Sequence, residues 1–188
     1  MKLLSHIGSI AVLVVGSFAS TVSAQTTANG PYYATPSWDQ QLPGSTRFVV
    51  LSNWIDADFP AGGAAVLDRE TGLVWEHSPS ACNPGIPTCV WQSAQFHCNQ
   101  LRVGNRQGWR LPTVQELASL VDPTVTAPSL PTGNPFMSVQ LAGYWSATTF
   151  GPGGAWDVEF SSGGVSTIAK STSLNVWCVR GGQGVDPQ

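Results

Sequence analysis

Residues 108–117 constrain the fold more than any other stretch, because they specify both an extended entry and the start of a helix. Thr113 and Glu116 have the spacing of a capping box, in which each side chain accepts a hydrogen bond from the other residue's backbone N–H. Pro112 keeps the preceding residue extended, and Asp122-Pro123 stops the helix. The sequence therefore predicts a helix that begins at Thr113.

The same segment lacks the groups that catalysis or metal binding needs. An apolar stripe formed by Leu117, Leu120 and Val121 predicts that one face of the helix is buried. Arg110 is expected to brace loop backbone or a carboxylate rather than to bind a ligand. We therefore assign a structural role to this motif, whose members are Trp109, Arg110, Leu111, Pro112, Thr113 and Glu116.

Residues 1–24 have the pattern of a secretory signal peptide. Lys2 precedes an apolar run over residues 7–18, and the small residues Val22-Ser23-Ala24 come directly before Gln25. An uncleaved membrane anchor is the alternative, but the run is shorter than the about 20 residues that a membrane-spanning helix needs. The sequence predicts export to the periplasm, the cell surface or the extracellular space, with no membrane insertion after cleavage.

Composition limits the partners of the exported chain. Cleavage removes one of the 8 basic residues, which leaves 7 against 11 acidic residues and a net charge of −4. Nucleic acids and anionic membranes require clustered Lys and Arg, so neither is an expected partner. The remaining length suits one domain. We place this domain at residues 47–182, after a poorly ordered arm at residues 25–46 and before a C-terminal tail at residues 183–188.

Four cysteines, an even number in a chain predicted to be exported, predict two disulfides. Three pairings are possible. Cys82 and Cys89 flank a segment rich in turn residues, so we expect them to pair with each other. The remaining pair, Cys98 with Cys178, closes a long loop and is expected to stabilise the domain by roughly 4 kcal/mol. A zinc site that combines these cysteines with His97 is the alternative, but the spacing matches none of the usual zinc patterns.

Hydrophobic periodicity predicts two helices and an antiparallel sheet, which together make an α+β fold with long loops. Residues 90–103 have helical spacing of apolar side chains, with Cys98 on the inner face. Strict alternation in the strand at residues 155–160 predicts that Trp156 faces the core while Asp157 and Glu159 face solvent. The other predicted strands are residues 47–51, 64–68, 73–76, 144–149, 165–169 and 175–180.

Few residues have the chemistry of a catalytic or metal site. Asp56 and Asp58 hint at a calcium loop, but the further acidic ligands are missing, so a solvated turn is expected. No serine nucleophile or carboxylate partner is evident for His97, and His77 lies at a strand end. We expect both histidines to be packed rather than catalytic. The sequence predicts no metal and no cofactor.

A series of short motifs along residues 64–182 resembles, in its order, a known family. The motifs are Leu67-Asp68, Thr71-Gly72-Leu73-Val74-Trp75, Gly108-Trp109-Arg110-Leu111-Pro112-Thr113, Tyr144-Trp145-Ser146, Ala155-Trp156-Asp157-Val158 and Val176-Trp177-Cys178-Val179-Arg180-Gly181-Gly182. They are similar to the bacterial Lcl C-terminal domain family, which is named after a Legionella collagen-like adhesin and has no assigned function. The resemblance implies a C-type lectin-like fold, with two helices packed on a twisted antiparallel sheet. It also implies a disulfide between the first helix and the last strand.

The resemblance implies no particular chemistry, because fold does not fix function. Calcium-dependent lectins of this fold use an acidic-and-amide cluster beside a proline, but Asn134-Pro135 lacks a flanking glutamate and Trp156-Asp157 lacks an intervening asparagine. Formylglycine-generating enzymes share the Arg110-Leu111-Pro112-Thr113 helix start. They bind copper through cysteines, whereas we expect every cysteine of this chain to be in a disulfide.

We therefore predict an exported, non-enzymatic and adhesin-like binding module. Its expected partner is a glycan or a surface protein, recognised by the loops of residues 123–154. The candidate binding residues are Asn134, Trp156, Asp157 and Glu159. The alternatives are a structural component of an envelope assembly and a hydrolase that uses Asp157, Glu159 or His97. The sequence leaves the ligand and the oligomeric state open.

Overall fold

The computed structural model describes residues 42–82, 86 and 88–181. The predicted signal peptide, the arm up to residue 41 and the predicted C-terminal tail lie outside the described residues. The end of the predicted arm is part of the folded domain, because Gly44–Arg47 forms a short helix, α1. The backbone N–H of Leu42 also donates to Glu70 Oε1 at 3.1 Å. Within the described residues, the fold therefore includes residues before Arg47, which was the predicted boundary.

The domain has an α+β architecture with two five-stranded sheets, which confirms the predicted fold class at this level. The first sheet has the order β1-β2-β3-β10-β5 and the second β4-β9-β6-β7-β8. The strands are β1 Phe48–Val50, β2 Ala65–Asp68, β3 Val74–Glu76, β4 Thr88–Cys89, β5 Trp109–Arg110, β6 Gly143–Phe150, β7 Gly154–Glu159, β8 Gly164–Ala169, β9 Leu174–Asn175 and β10 Val179–Arg180. The expectation of a single antiparallel sheet is wrong, because there are two sheets and β6 pairs with β9 in parallel.

Two further helices occupy the predicted positions. Helix α2 is Trp91–Gln100, and a 3₁₀ turn at Val103–Asn105 follows it. Helix α3 is Val114–Ala118, and it begins with the predicted capping box. The N–H of Glu116 donates to Thr113 Oγ1 at 3.2 Å, and the N–H of Thr113 donates to Glu116 Oε2 at 2.9 Å. No helix within the described part of the chain is long and apolar enough to cross a membrane.

Tryptophan side chains fill the interior between the sheets and helices. The fully or almost fully buried indoles are Trp75, Trp109, Trp145 and Trp177. The rings of Trp75 and Trp177 meet at 5.7 Å in an edge-to-face arrangement, a geometry that aromatic pairs favour. Leu117 and Leu120 are completely buried, as their periodicity predicted. The core therefore rests on aromatic volume from short strands rather than on long helices.

Both predicted disulfides are present. Cys82 bonds to Cys89, and Cys98 bonds to Cys178. Because all four cysteines are oxidised, the alternative zinc site would have no thiolate ligands. The second bond ties the buried face of α2 to the residue directly before β10. It therefore links the helix to the first sheet.

The prediction for the exposed face of β7 is wrong at Asp157. This side chain is 5 % exposed, and Ala155 on the same face is completely buried. The second sheet is covered on both faces, because the adjacent residues Tyr144 and Trp145 belong to two different core clusters. Alternation of apolar and polar residues marks a buried and a solvated face only when one side of the sheet is open to water.

Candidate functional site

One open groove on the surface of the domain is rich in guanidinium groups. It has a volume of about 480 Å³ and is lined by Asn53, Ile55, Asp56, Arg102, Gly104, Asn105 and Arg106. We call it the arginine groove. A second groove of about 370 Å³ shares Arg102 with it and continues past Gln107 and Gly108. The two cavities together form a polar surface around the 3₁₀ turn.

Trp54 holds two arginines beside the arginine groove. The Arg106 guanidinium lies 5.3 Å from the indole centroid and the Arg180 guanidinium 5.7 Å. The indole itself packs edge-on against Trp109 at 6.3 Å. A cation–π contact orients a guanidinium without neutralising it. Both arginines therefore keep a full positive charge that a ligand can meet.

Gly104 sets how closely the 3₁₀ turn approaches Trp54. Its φ is 62°, in the left-handed region that favours glycine. A Cβ atom there would lie 2.6 Å from Cε3 of Trp54, so the close approach requires glycine. Arg102 and Arg106 flank this turn in sequence. The turn thereby presents both side chains to the same groove.

Hydrogen bonds around Gln107 fix two of the arginines further. Arg180 donates from Nε to the Gln107 backbone oxygen at 2.8 Å. With the Gln107 amide oxygen turned toward it, Arg102 donates to that oxygen from Nη1 at 2.9 Å. Neither contact removes charge, because both acceptors are neutral.

Asp56 is the only carboxylate among the residues that line the arginine groove, and backbone N–H groups engage it. Its Oδ1 accepts from Asp58 at 3.1 Å and from Phe59 at 2.9 Å, and its Oδ2 accepts from Gly104 at 3.4 Å. These bonds confirm the predicted turn at Asp56 and Asp58. Within the described residues, no carboxylate forms an ion pair with the arginines of the groove.

The concentration of cations at this groove contrasts with the charge of the whole chain. The chain has 8 basic residues and a net charge of −3, yet two of its arginines lie over the Trp54 ring and a third, Arg102, lines the same groove as Arg106. Planar guanidinium groups match carboxylate, sulfate and phosphate oxygens in geometry and charge. The arrangement is therefore suited to an anionic ligand.

Sequence reasoning missed this groove. The spacing of Arg102 and Arg106 is a local signal that the sequence does contain. Trp54 and Arg180 are far from that pair in sequence, and only the fold brings them to it. A search for basic residues near turns would have found Arg102 and Arg106, but not Trp54 or Arg180.

Asn134, one of the predicted binding residues, holds the backbone of its own loop. Its Nδ2 donates to the Pro131 oxygen at 2.9 Å, and its Oδ1 accepts from the Phe136 N–H at 3.1 Å. Both ends of the amide are thus used locally, as is typical of an Asn-initiated turn.

The two predicted acidic binding residues on β7 are also engaged by neighbouring groups. Asp157 Oδ1 accepts from the Ser166 hydroxyl at 2.7 Å. Glu159 Oε1 accepts from the Ser161 N–H at 3.2 Å. Neither residue lines the arginine groove. Both acids lie on β7, and the buried Asp157 has a structural role.

Trp156, the remaining predicted binding residue, belongs to a partly exposed aromatic pair. Its ring meets Phe150 at 5.8 Å in an edge-to-face arrangement, and Phe150 is 59 % exposed. The pair lies on the hairpin of β6 and β7, at the end of the predicted binding loops. We call it the aromatic pair.

His97 has a hydroxyl partner that the sequence did not reveal. The Ser80 Oγ lies 2.7 Å from His97 Nε2, so the expectation that His97 lacks a serine neighbour is wrong. Burial lowers the pKa of His97, while a hydrogen bond with the Cys82 backbone opposes that shift. A neutral imidazole beside a hydroxyl is the arrangement that proton transfer from serine requires.

Glu76 is a buried carboxyl with an altered pKa. Burial raises its pKa to about 7, while neighbouring Ser80 and the Cys178 N–H oppose the rise and the charge of Asp56 adds to it. The Cys178 N–H donates to Glu76 Oε2 at 2.6 Å. Burial likewise raises the pKa of Tyr144 to about 12.

His77 is packed, as expected, and it connects two loops. Its Nδ1 lies 2.6 Å from the Gly63 oxygen and its Nε2 lies 2.8 Å from the Pro135 oxygen. Its ring stacks on Phe59 at 5.1 Å. Among the described residues, no group of three or more His, Cys, Asp or Glu side chains is placed to hold a metal ion.

Comparison with known proteins identifies the family to which this chain belongs. A family model described as the Lcl C-terminal domain matches residues 64–180. That range includes the capped helix and both disulfides. It also includes the three arginines at the arginine groove, Arg102, Arg106 and Arg180, but not Trp54. No curated protein matches the chain.

Proposed function

Because the chain belongs to the Lcl C-terminal domain family, we propose that it is an exported, non-enzymatic and adhesin-like binding module on a C-type lectin-like scaffold. Its partner is a glycan or a surface protein that carries anionic groups. The observation that carries this proposal is the arginine groove, where Arg102 and Arg106 line the cavity and Arg106 and Arg180 lie over Trp54. None of the three forms an ion pair with a carboxylate in the described part of the chain.

The two disulfides support the proposed export to an oxidising compartment. Disulfides form and persist in oxidising environments such as the periplasm and the extracellular space. A binding module in such an environment meets cell-surface polymers, many of which carry acidic groups. A periplasmic or surface location is therefore consistent with both the covalent structure and the charge of the groove.

Arg106 is the residue that tests the groove most directly. We expect Arg106→Ala to weaken binding to acidic glycans or acidic surface proteins by about tenfold, as expected for one charge-assisted contact of about 1.4 kcal/mol. Added salt should weaken binding by the wild type more than binding by the variant, because exposed charges are screened. A glycan array and pull-down from surface extracts would identify the partner, and titration would measure affinity.

Arg69→Ala is the matched control, because Arg69 is an exposed arginine in the hairpin turn between β2 and β3. It removes the same charge at a place outside the groove. If both variants lose affinity equally, net charge rather than the groove attracts the ligand. If wild-type protein binds nothing on the array or from the extracts, the binding proposal itself fails.

The aromatic pair is a second candidate surface for the same function. Exposed aromatic faces bind sugar rings and apolar side chains, and Phe150 is 59 % exposed. This is the surface that the sequence predicted through Trp156 and the loops of residues 123–154. Phe150→Ala should reduce affinity strongly if this surface binds the partner, whereas it should leave affinity unchanged if only the arginine groove does.

Acyl hydrolysis is a second candidate function, and the Ser80–His97 contact at 2.7 Å is what favours it. The hydrolase hypothesis named Asp157, Glu159 or His97, and its carboxylate pair loses support because Asp157 is buried and bonded to Ser166. A fluorophosphonate probe should label Ser80 if its hydroxyl is a nucleophile, and Ser80→Ala should abolish labelling. A wild-type protein that stays unlabelled, with no esterase activity, counts against hydrolysis. If the protein is instead a structural component of an envelope assembly, it should purify in a stoichiometric complex.

A further inference from the structure

Strand β8 is the longest edge strand in the part of the chain that the structure describes. Strand β8, Gly164–Ala169, ends the second sheet and has β7 as its only neighbour within the described residues. It pairs with β7 along its whole length without a register shift. The strands at the other three sheet edges, β1, β4 and β5, have only two or three residues each. β8 is therefore the edge that offers the most backbone to a partner.

Strand β8 lacks the usual protection of an exposed edge. Natural edge strands avoid pairing through charged residues, proline or bulges. The β8 sequence, Gly-Val-Ser-Thr-Ile-Ala, contains none of these and has three β-branched residues. The nearest charged residue in sequence, Lys170, places its ammonium group over the Trp91 ring at 4.4 Å. Five of the six residues are exposed.

The hydrogen-bonding register identifies which backbone groups are open. Lys170 donates its N–H to the Gly153 oxygen at 2.9 Å, so this pair is a hydrogen-bonded pair of the antiparallel ladder. Hydrogen-bonded and non-hydrogen-bonded pairs alternate along such a ladder. The N–H and C=O groups of Val165 and Thr167 and the N–H of Ala169 therefore point away from β7, toward the free edge. The Ala169 oxygen already accepts from the Thr172 N–H at 2.9 Å.

We propose that β8 pairs antiparallel with β8 of a second copy of this chain, in a register centred on Thr167. Thr167 then lies opposite Thr167 of the second copy, and Val165 lies opposite Ala169. In this register the two Thr167 residues exchange both of their backbone hydrogen bonds, and the Ala169 N–H donates to the Val165 oxygen of the second copy. The Val165 N–H faces the Ala169 oxygen, which also accepts from Thr172. Cross-strand Thr–Thr pairs are favourable, and no charged side chain meets a like charge.

A second copy is favoured over an unfolded peptide because its strand is already ordered. Fixing a residue of a flexible peptide costs conformational entropy, and this cost does not arise for a strand held by β7. The sequence around Thr167 is also self-complementary in size and polarity. A contact of one strand is nevertheless smaller than a stable interface of about 1,600 Å², so the dimer forms at high protein concentration.

Amide hydrogen exchange tests the register on unmodified protein. Sedimentation should show an about twofold rise in mass between about 10 µM and about 1 mM protein, the range for a weak contact. Over the same range, the amides of Val165, Thr167 and Ala169 should gain protection. The amides of Ser166 and Ile168, which already bond to β7, should be protected at every concentration.

Thr167→Lys tests the edge with a charge. It places two like charges opposite each other in the proposed register, so the variant should stay monomeric at about 1 mM, while an unchanged melting temperature shows that it is folded. Ser173→Lys is the matched control, because Ser173 is exposed and lies outside β8; this variant should still dimerise. A monomeric wild type, a dimer without protection of the three amides, or a dimer that tolerates Thr167→Lys would each overturn the proposal.

Discussion

The arginines of this domain form two groups that differ in whether a carboxylate lies within reach. Arg47 is 1 % exposed and donates to both oxygens of Asp68, at 2.9 and 2.7 Å. Arg110 forms the same kind of contact with Glu116, at 2.7 and 2.6 Å. The arginines around Trp54 have no such partner within the described residues.

The comparison shows that local surroundings decide the role of an arginine. Where a carboxylate faces it, the guanidinium joins distant parts of the chain. Arg47 also reaches the Ser119 oxygen at 2.9 Å, and Arg110 reaches the Gly181 oxygen at 2.7 Å. Where aromatic and neutral groups face it, the charge stays available for a ligand. Substitutions in the two groups should therefore separate stability from binding.

Arg47→Ala should have the largest effect. It leaves Asp68 and Glu70 buried beside each other without a cation. We expect this to lower the free energy of unfolding by about 3 to 5 kcal/mol. Urea denaturation would measure the loss in free energy of unfolding. Arg47→Lys is the control, because it keeps the charge but not the two-pronged contact, and it should lose less. Equal stability of Arg47→Ala and wild type would contradict a structural role for this arginine.

Glu76 extends the comparison to a buried carboxyl without an arginine. Its pKa is about 7 in the folded protein and 4.5 ordinarily, so the folded state binds more protons between these values. The contribution of Glu76 to the free energy of unfolding is therefore greatest below pH 4.5. This contribution falls by roughly 3 kcal/mol as the pH rises from 4.5 through 7. Urea midpoints at a series of pH values would show the decline.

Glu76→Gln should flatten this pH dependence, because the amide does not titrate. Asp58→Asn is the matched control, since Asp58 is an exposed carboxyl, and it should leave the decline in place. A decline that persists in Glu76→Gln would assign the titration to another group.

Thr113→Ala should have a smaller effect on stability. It removes the hydroxyl that accepts from the Glu116 N–H, and loss of such a cap costs roughly 1 kcal/mol. Arg110→Ala should also destabilise the domain, because it breaks the contact with Glu116. Thr113→Ser retains the cap and serves as the control. Loss of ligand binding in Thr113→Ala or Arg110→Ala, without a change in melting temperature, would move the binding site to this segment.

Arg106→Ala should have the smallest effect on stability. Its exposed cation–π contact with Trp54 is worth less than about 1 kcal/mol. Thermal unfolding should therefore be nearly unchanged even where ligand affinity drops. A loss of several kcal/mol would place Arg106 with Arg47 among the structural arginines.

Much of the fold follows from local sequence, whereas most of the site does not. The capping box, the two helices and most strands were predicted because short-range spacing specifies them. Asp157 was misassigned because alternation does not reveal whether a sheet is covered on both faces. The Ser80–His97 contact and the arginine groove were missed because their members come from separate segments.

The sequence by itself determined the capped start of α3, the pairing of Cys82 with Cys89 and the apolar residues that fill the core. These features depend on neighbours a few residues apart and on side-chain volume. Only the tertiary structure decided which arginines meet carboxylates and which surround Trp54. The reason is that electrostatic pairing depends on distances across the folded chain, which local spacing does not contain.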